Sequence, residues 1–468
     1  MTPVLSTTVL PRRAPHLTTL VPPRRHYPVN RLGLALIIAL FFITRLTFFF
    51  LEQNDFLYRL PQQDDAPTYI DIASVYAGLN TYASVDRSPF TRVPIYPQIL
   101  AVFSSIQLPL RFLLIFICQQ FLQLAIIITV YLYLHHFYSS RLALLYAALL
   151  IFFYDFAIYG FLVRPETLFT AFVLMACLLC LRALSTNSTF QFSLSSLFLS
   201  LSTLTRPVAA LSIVPLLALT TYFTGGSTSV RRQLIRLLLI LVVFILPLAP
   251  WLYHNYLLSG TLVLQQDTGN LIHATIPGGH WGSVDIHRLL NTANMSELEV
   301  DRALTALAVA RIKDNPAIWL KNTFTNFTFR LWSMGFADTY LRYLDHTVLD
   351  PGGYHAPLSA PLWQRLLSSW KIQSPQFSIN PLYHLYFILN NILGISISFL
   401  PIVGLILFPF LPIHSKVIFT FLLYFWFVTS FFAFSGSRYM VPLLPLLWLV
   451  VPSYPAAVRK LLRPAKVL

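Results

Sequence analysis

Long apolar runs, separated by short polar stretches, make up most of this chain. A helix needs roughly 20 mostly apolar residues to cross a bilayer. About ten runs approach that length and predict membrane spans. They lie at about residues 32–51, 110–134, 141–160, 164–183, 190–204, 206–223, 234–252, 383–411, 416–434 and 439–456. The pattern therefore predicts an all-α polytopic membrane protein.

Two of these runs allow a second interpretation. The 190–204 run is short, so it is either a tilted span or a partly re-entrant helix. Pro401 divides the 383–411 run, which is either one kinked span or a span followed by a surface helix. A further short helix, amphipathic or re-entrant, is predicted at Pro94–Ile106.

The polar stretches between the runs give the domain organisation. Residues 1–31 form a basic tail, and residues 32–254 form an N-terminal transmembrane module with a first long loop at 52–109. A large polar region follows at 255–382, then C-terminal transmembrane helices at 383–456 and a tail at 457–468. The N-terminal module is predicted to be catalytic because it holds most of the polar motifs described below.

The distribution of basic residues predicts the orientation in the membrane. The net charge is +15, although only 10% of the residues are charged, against about 25% in a soluble domain. Basic residues gather in both tails and in the 224–236 loop, which holds Arg231, Arg232 and Arg236. The positive-inside rule places these segments in the cytoplasm and both long loops outside. No nucleic-acid-binding motif accompanies the charge, so we expect membrane lipids and not nucleic acid as partners.

The acidic residues indicate where chemistry takes place. Six lie between Glu52 and Asp86 and nine between Asp267 and Asp350, so that only Asp155 and Glu166 lie elsewhere. This distribution disfavours a transporter or flippase, which carries ionisable groups near the middle of the membrane. Catalytic carboxylates are instead expected in the two outer loops or in the remaining pair.

Four arginines depart from the positive-inside rule. Arg164, Arg206 and Arg438 lie at predicted outer ends of spans, and Arg45 lies about two turns inside the first span. Arginine near the bilayer either extends to lipid headgroups or has a function. A ring of guanidinium groups at the outer surface suits the binding of a lipid phosphate.

Polar motifs recur at the predicted span ends. They are Asp64-Asp65-Ala66-Pro67-Thr68-Tyr69, Arg92-Val93-Pro94-Ile95-Tyr96-Pro97, Arg164-Pro165-Glu166, Thr205-Arg206-Pro207, Trp251 through His254-Asn255, Asn315-Pro316 and Ser437-Arg438-Tyr439. From about residue 30 to 450 the series resembles the GT-C superfamily of membrane glycosyltransferases. Within it, the chain is similar to bacterial relatives of the protein O-mannosyltransferases of family 39 and to lipid A aminoarabinose transferases.

The resemblance implies a GT-C-like helical bundle and an outward active site. It also implies a polyprenyl-phosphate sugar donor and a lipid, glycan or protein acceptor. In such enzymes a carboxylate of the first outer loop acts as the base, which here is Asp65, with Asp64 as the alternative. Glu166 is the second expected acid, and Asp155 competes for that role. The donor phosphate is expected on Arg92, Arg206 and Arg438, then on Arg164 and Arg45. Tyr69, Tyr96 and Tyr439 are expected to contact substrate.

No metal site is predicted, and no cofactor is required. Cys177 and Cys180 form a C-x-x-C pair on a predicted span, but no second pair accompanies them, which favours apolar packing over zinc. His273, His280 and His287 lie seven residues apart in a Gly-rich loop, where even spacing has little meaning. Nearby Trp281 is a weaker candidate for stacking on a sugar. A divalent metal is therefore conceivable but not indicated.

The resemblance implies a glycosyltransferase, which we expect to work by inverting single displacement, in a multi-pass protein of a bacterial inner membrane. The main alternative is a transporter or lipid flippase without transferase activity. A second alternative is an assembly protein that keeps the fold without catalysis, which the Asp64-Asp65 pair disfavours.

Overall fold

The computed structural model describes residues 30–51, 65–85, 89, 91–225, 229–265, 270–277, 289–290, 295, 297–332, 393, 396–397, 399–431 and 443–462. Within these ranges the chain forms 16 α-helices and no strand. The prediction of an all-α polytopic membrane protein is confirmed. The division of the chain into domains stays a prediction.

The helices are listed here in chain order. They are α1 Arg31–Leu51, α2 Ala66–Tyr76, α3 Ile95–Ala101, α4 Leu110–Phe137, α5 Ser140–Phe152, α6 Tyr154–Ile158, α7 Glu166–Thr186, α8 Thr189–Thr203, α9 Ile213–Thr224, α10 Val230–Ser259, α11 Asn270–Ala274, α12 Glu297–Asp314, α13 Pro316–Trp332, α14 Ile413–Phe431, α15 Leu444–Val450 and α16 Tyr454–Leu461.

Four helical segments of the described residues are long and apolar enough to cross a membrane: Leu110–Phe137, Glu166–Thr186, Pro207–Thr224 and Val230–Ser259. Shorter apolar helices lie at Ser140–Phe152, Phe399–Phe410 and Ile413–Thr429. The count of about ten spans stays a prediction. The helix for the predicted 190–204 run has 15 residues and is therefore roughly 22 Å long, shorter than the hydrocarbon core of a bilayer.

Two predicted spans differ from the observed helices. The 141–160 run is not one helix, because Phe153 has an extended backbone that ends α5. The end of α6 and the turn that follows it, at 159–163, are buried inside the bundle. The 439–456 run is broken as well: its described part is α15, a 3₁₀ turn at Val451–Ser453 and the start of α16. Pro452 and Pro455 remove two main-chain donors at this break.

Small polar side chains hold the central helices together. α7 packs against α8, and α8 packs against α10. Ser195 Oγ donates to the carbonyl of Ala176 at 2.7 Å, and Ser196 Oγ donates to that of Ile240 at 2.6 Å. Short hydroxyl side chains allow a close approach of helices in lipid and satisfy their own polar atoms across the contact.

The α7–α8 hairpin gives the bundle two distinct ends. It turns at Asn187, which has a left-handed backbone with φ 52°. Arg236, near the start of α10, donates to the carbonyl of Asn187 and to Thr189 Oγ1. The turn therefore lies at the same end as the basic start of α10. Glu166 and Leu204 lie at the other end, since α7 has 21 residues and is roughly 30 Å long.

Candidate active site

Asp65 stands at the start of α2. It is the residue before Ala66–Tyr76, and Pro67 lies in the first turn, where the missing N–H of proline costs no helical hydrogen bond. Its carboxylate makes no capping bond to the helix. It instead accepts a hydrogen bond from Arg92 Nη2 at 2.9 Å. The partial positive charge of the helix start favours an ionised carboxylate at this position.

The Asp65–Arg92 ion pair is partly open to its surroundings. The exposed fractions of the two side chains are 26% for Asp65 and 19% for Arg92. The Arg92 guanidinium also lies over the ring of Tyr69, 5.3 Å from its centroid. This contact between a cation and an aromatic face holds the guanidinium plane beside α2.

Tyr69 and Tyr96 join α2 to α3. Their rings meet edge to face, with centroids 5.2 Å apart. Both belong to a buried cluster that packs the two short helices onto the first turns of α4, through Phe112 and Ile115. This apolar cluster fixes α2 and α3 on the bundle, so that Asp65 and Arg92 have a defined position.

A second ion pair lies between α7 and the end of α8. Arg206 Nη2 donates to Glu166 Oε1 at 2.9 Å, and the exposed fractions of the two side chains are 7% and 2%. Glu166 is the first residue of α7, where the helix dipole favours a carboxylate. The other carboxylate oxygen, Oε2, is buried and has no hydrogen-bond partner among the described residues.

A main-chain hydrogen bond connects the two pairs. The N–H of Ile95 donates to the carbonyl of Leu204 at 3.2 Å. Ile95 comes three residues after Arg92, and Leu204 comes two residues before Arg206. The loop that carries the first pair is therefore attached to the segment that carries the second.

Both ion pairs influence the pKa of the Tyr69 hydroxyl. Burial raises the pKa of the Tyr69 hydroxyl to about 12. Arg92 and Arg206 oppose this rise in pKa, whereas Asp65 and Glu166 add to it. All four charged groups are thus close enough to act on a single phenol. Four of the predicted site residues, from distant parts of the sequence, are brought together around Tyr69.

A fifth charged group, Arg164, influences the pKa of Tyr96. This pKa is raised well above the usual value, chiefly by burial and further by Glu166 and Tyr69, whereas Arg164 lowers it. Arg164 is buried, and its guanidinium lies over the ring of Tyr159 at 5.9 Å. Three arginines and two carboxylates therefore surround the two tyrosines.

Arg45 has a different setting. Its Nε donates to Gln120 Oε1 and its Nη1 donates to the carbonyl of Ile151, each at 3.1 Å. Ile151 lies in the last turn of α5, whose carbonyls lack partners within the helix. Arg45 thus joins α1, α4 and the end of α5. Its predicted role in binding the donor phosphate stays a prediction.

Several predicted site residues lie outside the described residues: Asp64, Arg438, Tyr439, His280, His287 and Trp281. The side chain of Asp155 is likewise not described. His273 is buried in the short helix α11, and Cys177 and Cys180 are buried in the core of the bundle. Within the described ranges, no group of three or more His, Cys, Asp or Glu could hold a metal ion.

Sequence reasoning missed the glutamines of α4. Gln119, Gln120 and Gln123 are all buried and lie along the end of α6 and the turn that follows it. Three amide side chains lie within five residues of an apolar run, and a polar side chain in a span needs a partner inside the protein. This spacing could have predicted that the three glutamines bind neighbouring segments of the bundle. Gln119 directly contacts Tyr96 of the site.

Comparison with known proteins gives a family resemblance for part of the chain. Residues 91–254 match the family model of dolichyl-phosphate-mannose-protein mannosyltransferases. The chain therefore resembles the GT-C glycosyltransferases. The matched stretch covers about a third of the chain and includes Arg92, Tyr96, Arg164, Glu166 and Arg206. It indicates a membrane glycosyltransferase of the GT-C type. No curated protein and no solved structure matches the chain significantly.

Proposed function

We propose that this protein transfers a sugar from a polyprenyl-phosphate donor to an acceptor at the outer face of the membrane. The observation that carries the proposal is the meeting of two carboxylate–arginine pairs around Tyr69. The family match over residues 91–254 supports the class of reaction. The choice of donor, membrane face and mechanism is argued below from the residues of the site.

The charge of the cluster suits an anionic donor. Among the described residues, three arginines and two carboxylates act on the two tyrosines: Arg92, Arg164, Arg206, Asp65 and Glu166. Guanidinium groups bind phosphate through paired hydrogen bonds. They also stabilise the negative charge that develops on the departing phosphate. A lipid phosphate at the end of the bundle fits these donors.

The exposure of the two carboxylates distinguishes their roles. The side chain of Asp65 is 26% exposed, whereas that of Glu166 is only 2% exposed. A general base has to reach the proton of the acceptor hydroxyl, so we assign that role to Asp65, with its neighbour Asp64 as the alternative. Glu166 then holds Arg206 in place beside the donor.

The proposed reaction is a single displacement. The acceptor oxygen forms a bond to the anomeric carbon while the bond from that carbon to the phosphate oxygen breaks. The acceptor proton passes to Asp65, and the phosphate leaves with the bonding electrons. Arg92 Nη2 is 2.9 Å from Asp65 Oδ1, so the base and the cation for the leaving group are adjacent. Attack from the side opposite the leaving group inverts the sugar carbon.

The ends of the bundle support an outward site. The Glu166–Arg206 pair lies at the start of α7, and the Ile95–Leu204 bond attaches the loop of the other pair to the same end. The basic residues Arg231, Arg232 and Arg236 lie at the opposite end, at the start of α10. The positive-inside rule assigns the basic end to the cytoplasm. The active site then faces outward, which in a bacterial inner membrane is the side where a lipid, glycan or protein acceptor is met.

The transporter or flippase is the second candidate. Such proteins bind their cargo near the middle of the membrane on broken helices. The two described ion pairs lie at helix ends, which favours the transferase.

The test is sugar transfer by the purified protein in detergent, with a panel of polyprenyl-phosphate sugars. Asp65→Asn is expected to lower turnover by roughly 10²- to 10⁴-fold, the usual effect of a general base. Asp71→Asn, which removes another carboxylate of α2, is the matched control and is expected to retain turnover. Turnover is expected to persist in EDTA, and the anomer of the product is read by NMR.

Each outcome is informative. Loss of turnover in Asp64→Asn but not in Asp65→Asn moves the base by one residue. Equal loss in Asp65→Asn and Asp71→Asn contradicts the assignment of a base in this loop. No turnover of any donor by the wild type, together with lipid movement in vesicles, refutes the transferase and supports the flippase.

A further inference from the structure

The side chain of Gln119 touches both halves of the site. Its Oε1 accepts a hydrogen bond from the Tyr96 hydroxyl at 2.9 Å. Its Nε2 donates to the carbonyls of Leu162 at 2.8 Å and of Gly160 at 3.3 Å. All of these groups are buried. One amide of α4 thus links α3 to the turn that precedes α7.

The contact on α3 leads to the first ion pair. Tyr96 packs edge to face on Tyr69, and Tyr69 carries the guanidinium of Arg92 on its ring. Arg92 in turn holds Asp65. A shift of the Tyr96 hydroxyl is therefore expected to displace Tyr69, and with it the Arg92 guanidinium and the proposed base Asp65.

The contact on the turn leads to the second ion pair. Leu162 comes two residues before Arg164 and four before Glu166. The same turn is attached to the start of α7 by Thr167 Oγ1, which donates to the carbonyl of Tyr159 at 3.1 Å. The position of the carbonyls that Gln119 binds therefore sets the position of the Glu166 carboxylate.

The chemistry of this position calls for an amide. The Tyr96 hydroxyl needs an acceptor, and the two carbonyls need donors. Glutamine supplies both on one side chain, whereas glutamate supplies acceptors only and methionine supplies neither in a useful form. An unpaired polar group is costly in a buried site. These hydrogen bonds therefore determine how α3 and the turn before α7 lie against Gln119, in addition to the apolar packing.

We propose that Gln119 is a positioning residue that sets the distance between the Asp65–Arg92 pair and the Glu166–Arg206 pair. The inference rests on the proposed transferase function. Gln119 touches neither reacting group, so its loss is expected to misplace the base relative to the donor phosphate. The effect then falls mainly on kcat, since a misplacement of about 1 Å costs on the order of 100-fold in rate.

Gln123 supplies a matched control on the same helix. It lies one helical turn further along α4, is buried and donates to the carbonyl of Phe156 in α6, just before the turn that Gln119 binds. Within the described contacts it does not bond to Tyr96. Gln119→Met and Gln123→Met therefore each remove one buried amide from α4, but only the first cuts the link between the halves.

The experiment measures kcat and KM for the two Met variants, for Gln119→Glu and for Tyr96→Phe. Gln119→Met and Gln119→Glu are expected to lower kcat by about 10- to 100-fold with little change in KM. Gln123→Met is expected to stay within about threefold. Tyr96→Phe cuts the same link, so Tyr96→Phe combined with Gln119→Met is expected to be no worse than the stronger single variant.

Hydrogen exchange gives a second readout that does not depend on turnover. Gln119→Met is expected to speed exchange in both 95–101 and 158–166, whereas Gln123→Met affects only the second segment. Equal kcat losses in the two Met variants, or unchanged exchange in 95–101, overturn the inference. If the wild type turns over no donor, the proposed function fails and the catalytic role of Gln119 fails with it, while exchange still decides whether the link exists.

Discussion

The two ion pairs of the site are expected to differ sharply in their contribution to stability. The Glu166–Arg206 pair is nearly sealed, with exposed fractions of 2% and 7%, whereas the Asp65–Arg92 pair is exposed by 26% and 19%. Both have an N–O distance of 2.9 Å, so burial is the variable that separates them. Arg206→Met leaves the Glu166 carboxylate buried without its cation.

The expected magnitudes follow from that difference. Removal of one partner from a buried pair costs about 3–5 kcal/mol. A partly exposed pair contributes about 0–1 kcal/mol, because water screens it. Arg206→Met is therefore expected to lower the free energy of unfolding by several times as much as Arg92→Met. The double variant Glu166→Gln with Arg206→Met is expected to recover most of the loss, since it buries no unpaired charge.

The assay is equilibrium unfolding in detergent for the wild type, the single variants and the double variant. The interaction energy is the double-variant loss minus the two single losses. Losses of equal size for Arg206→Met and Arg92→Met contradict the argument from burial. A double variant whose loss equals the sum of the single losses contradicts the description of Glu166 and Arg206 as one buried pair.

Two further predictions concern Tyr69 and Gly160. The pKa of Tyr69 is raised from 10 to about 12 in the folded protein, so the native state keeps this proton after the unfolded chain has lost it. This contribution to the free energy of unfolding is intact below about pH 10 and is lost as the pH rises towards 12. The measurement is the free energy of unfolding of the wild type and of Tyr69→Phe from pH 8 to 11. Because Tyr69→Phe has no phenol at this position, its stability is expected to fall less at alkaline pH than that of the wild type. A Cβ at Gly160 would lie 2.5 Å from Gln123 Oε1 and 2.6 Å from Gln120 Nε2, so Gly160→Ala is expected to destabilise by about 1–3 kcal/mol. A thermal midpoint equal to that of the wild type would contradict close packing there.

The sequence was sufficient for the class of fold and for the position of several helices. Apolar runs predicted α1, α4 and α7 to within about three residues at each end, because a segment in lipid has to satisfy its own main chain and a helix does so. The helix α10 extends beyond its predicted run at both ends. The break at Phe153 could not be predicted in this way. Residues 153–163 continue the apolar run of α5, and only the packed structure shows that this run divides into α6 and a buried turn at 159–163.

Part of the site could also be predicted, for a different reason. The resemblance pointed to Asp65, Arg92, Glu166 and Arg206, and the structure places them around Tyr69. Which arginine pairs with which carboxylate could not be predicted, since the pairing depends on which helix end packs against which loop. The hydrogen bonds of Arg45 to Gln120 and to the carbonyl of Ile151 could not be predicted either.

The bond between the Ile95 N–H and the Leu204 carbonyl joins the two parts of the site without any side chain. Ile95 is the first residue of α3, and its N–H is one of those that a helix leaves free at its start. Pro94 and Pro97 beside it have no N–H to offer. Position 95 therefore tolerates any side chain that fits. Proline is well suited to the start of a helix, but at this position it would remove the N–H and so detach the loop from Leu204.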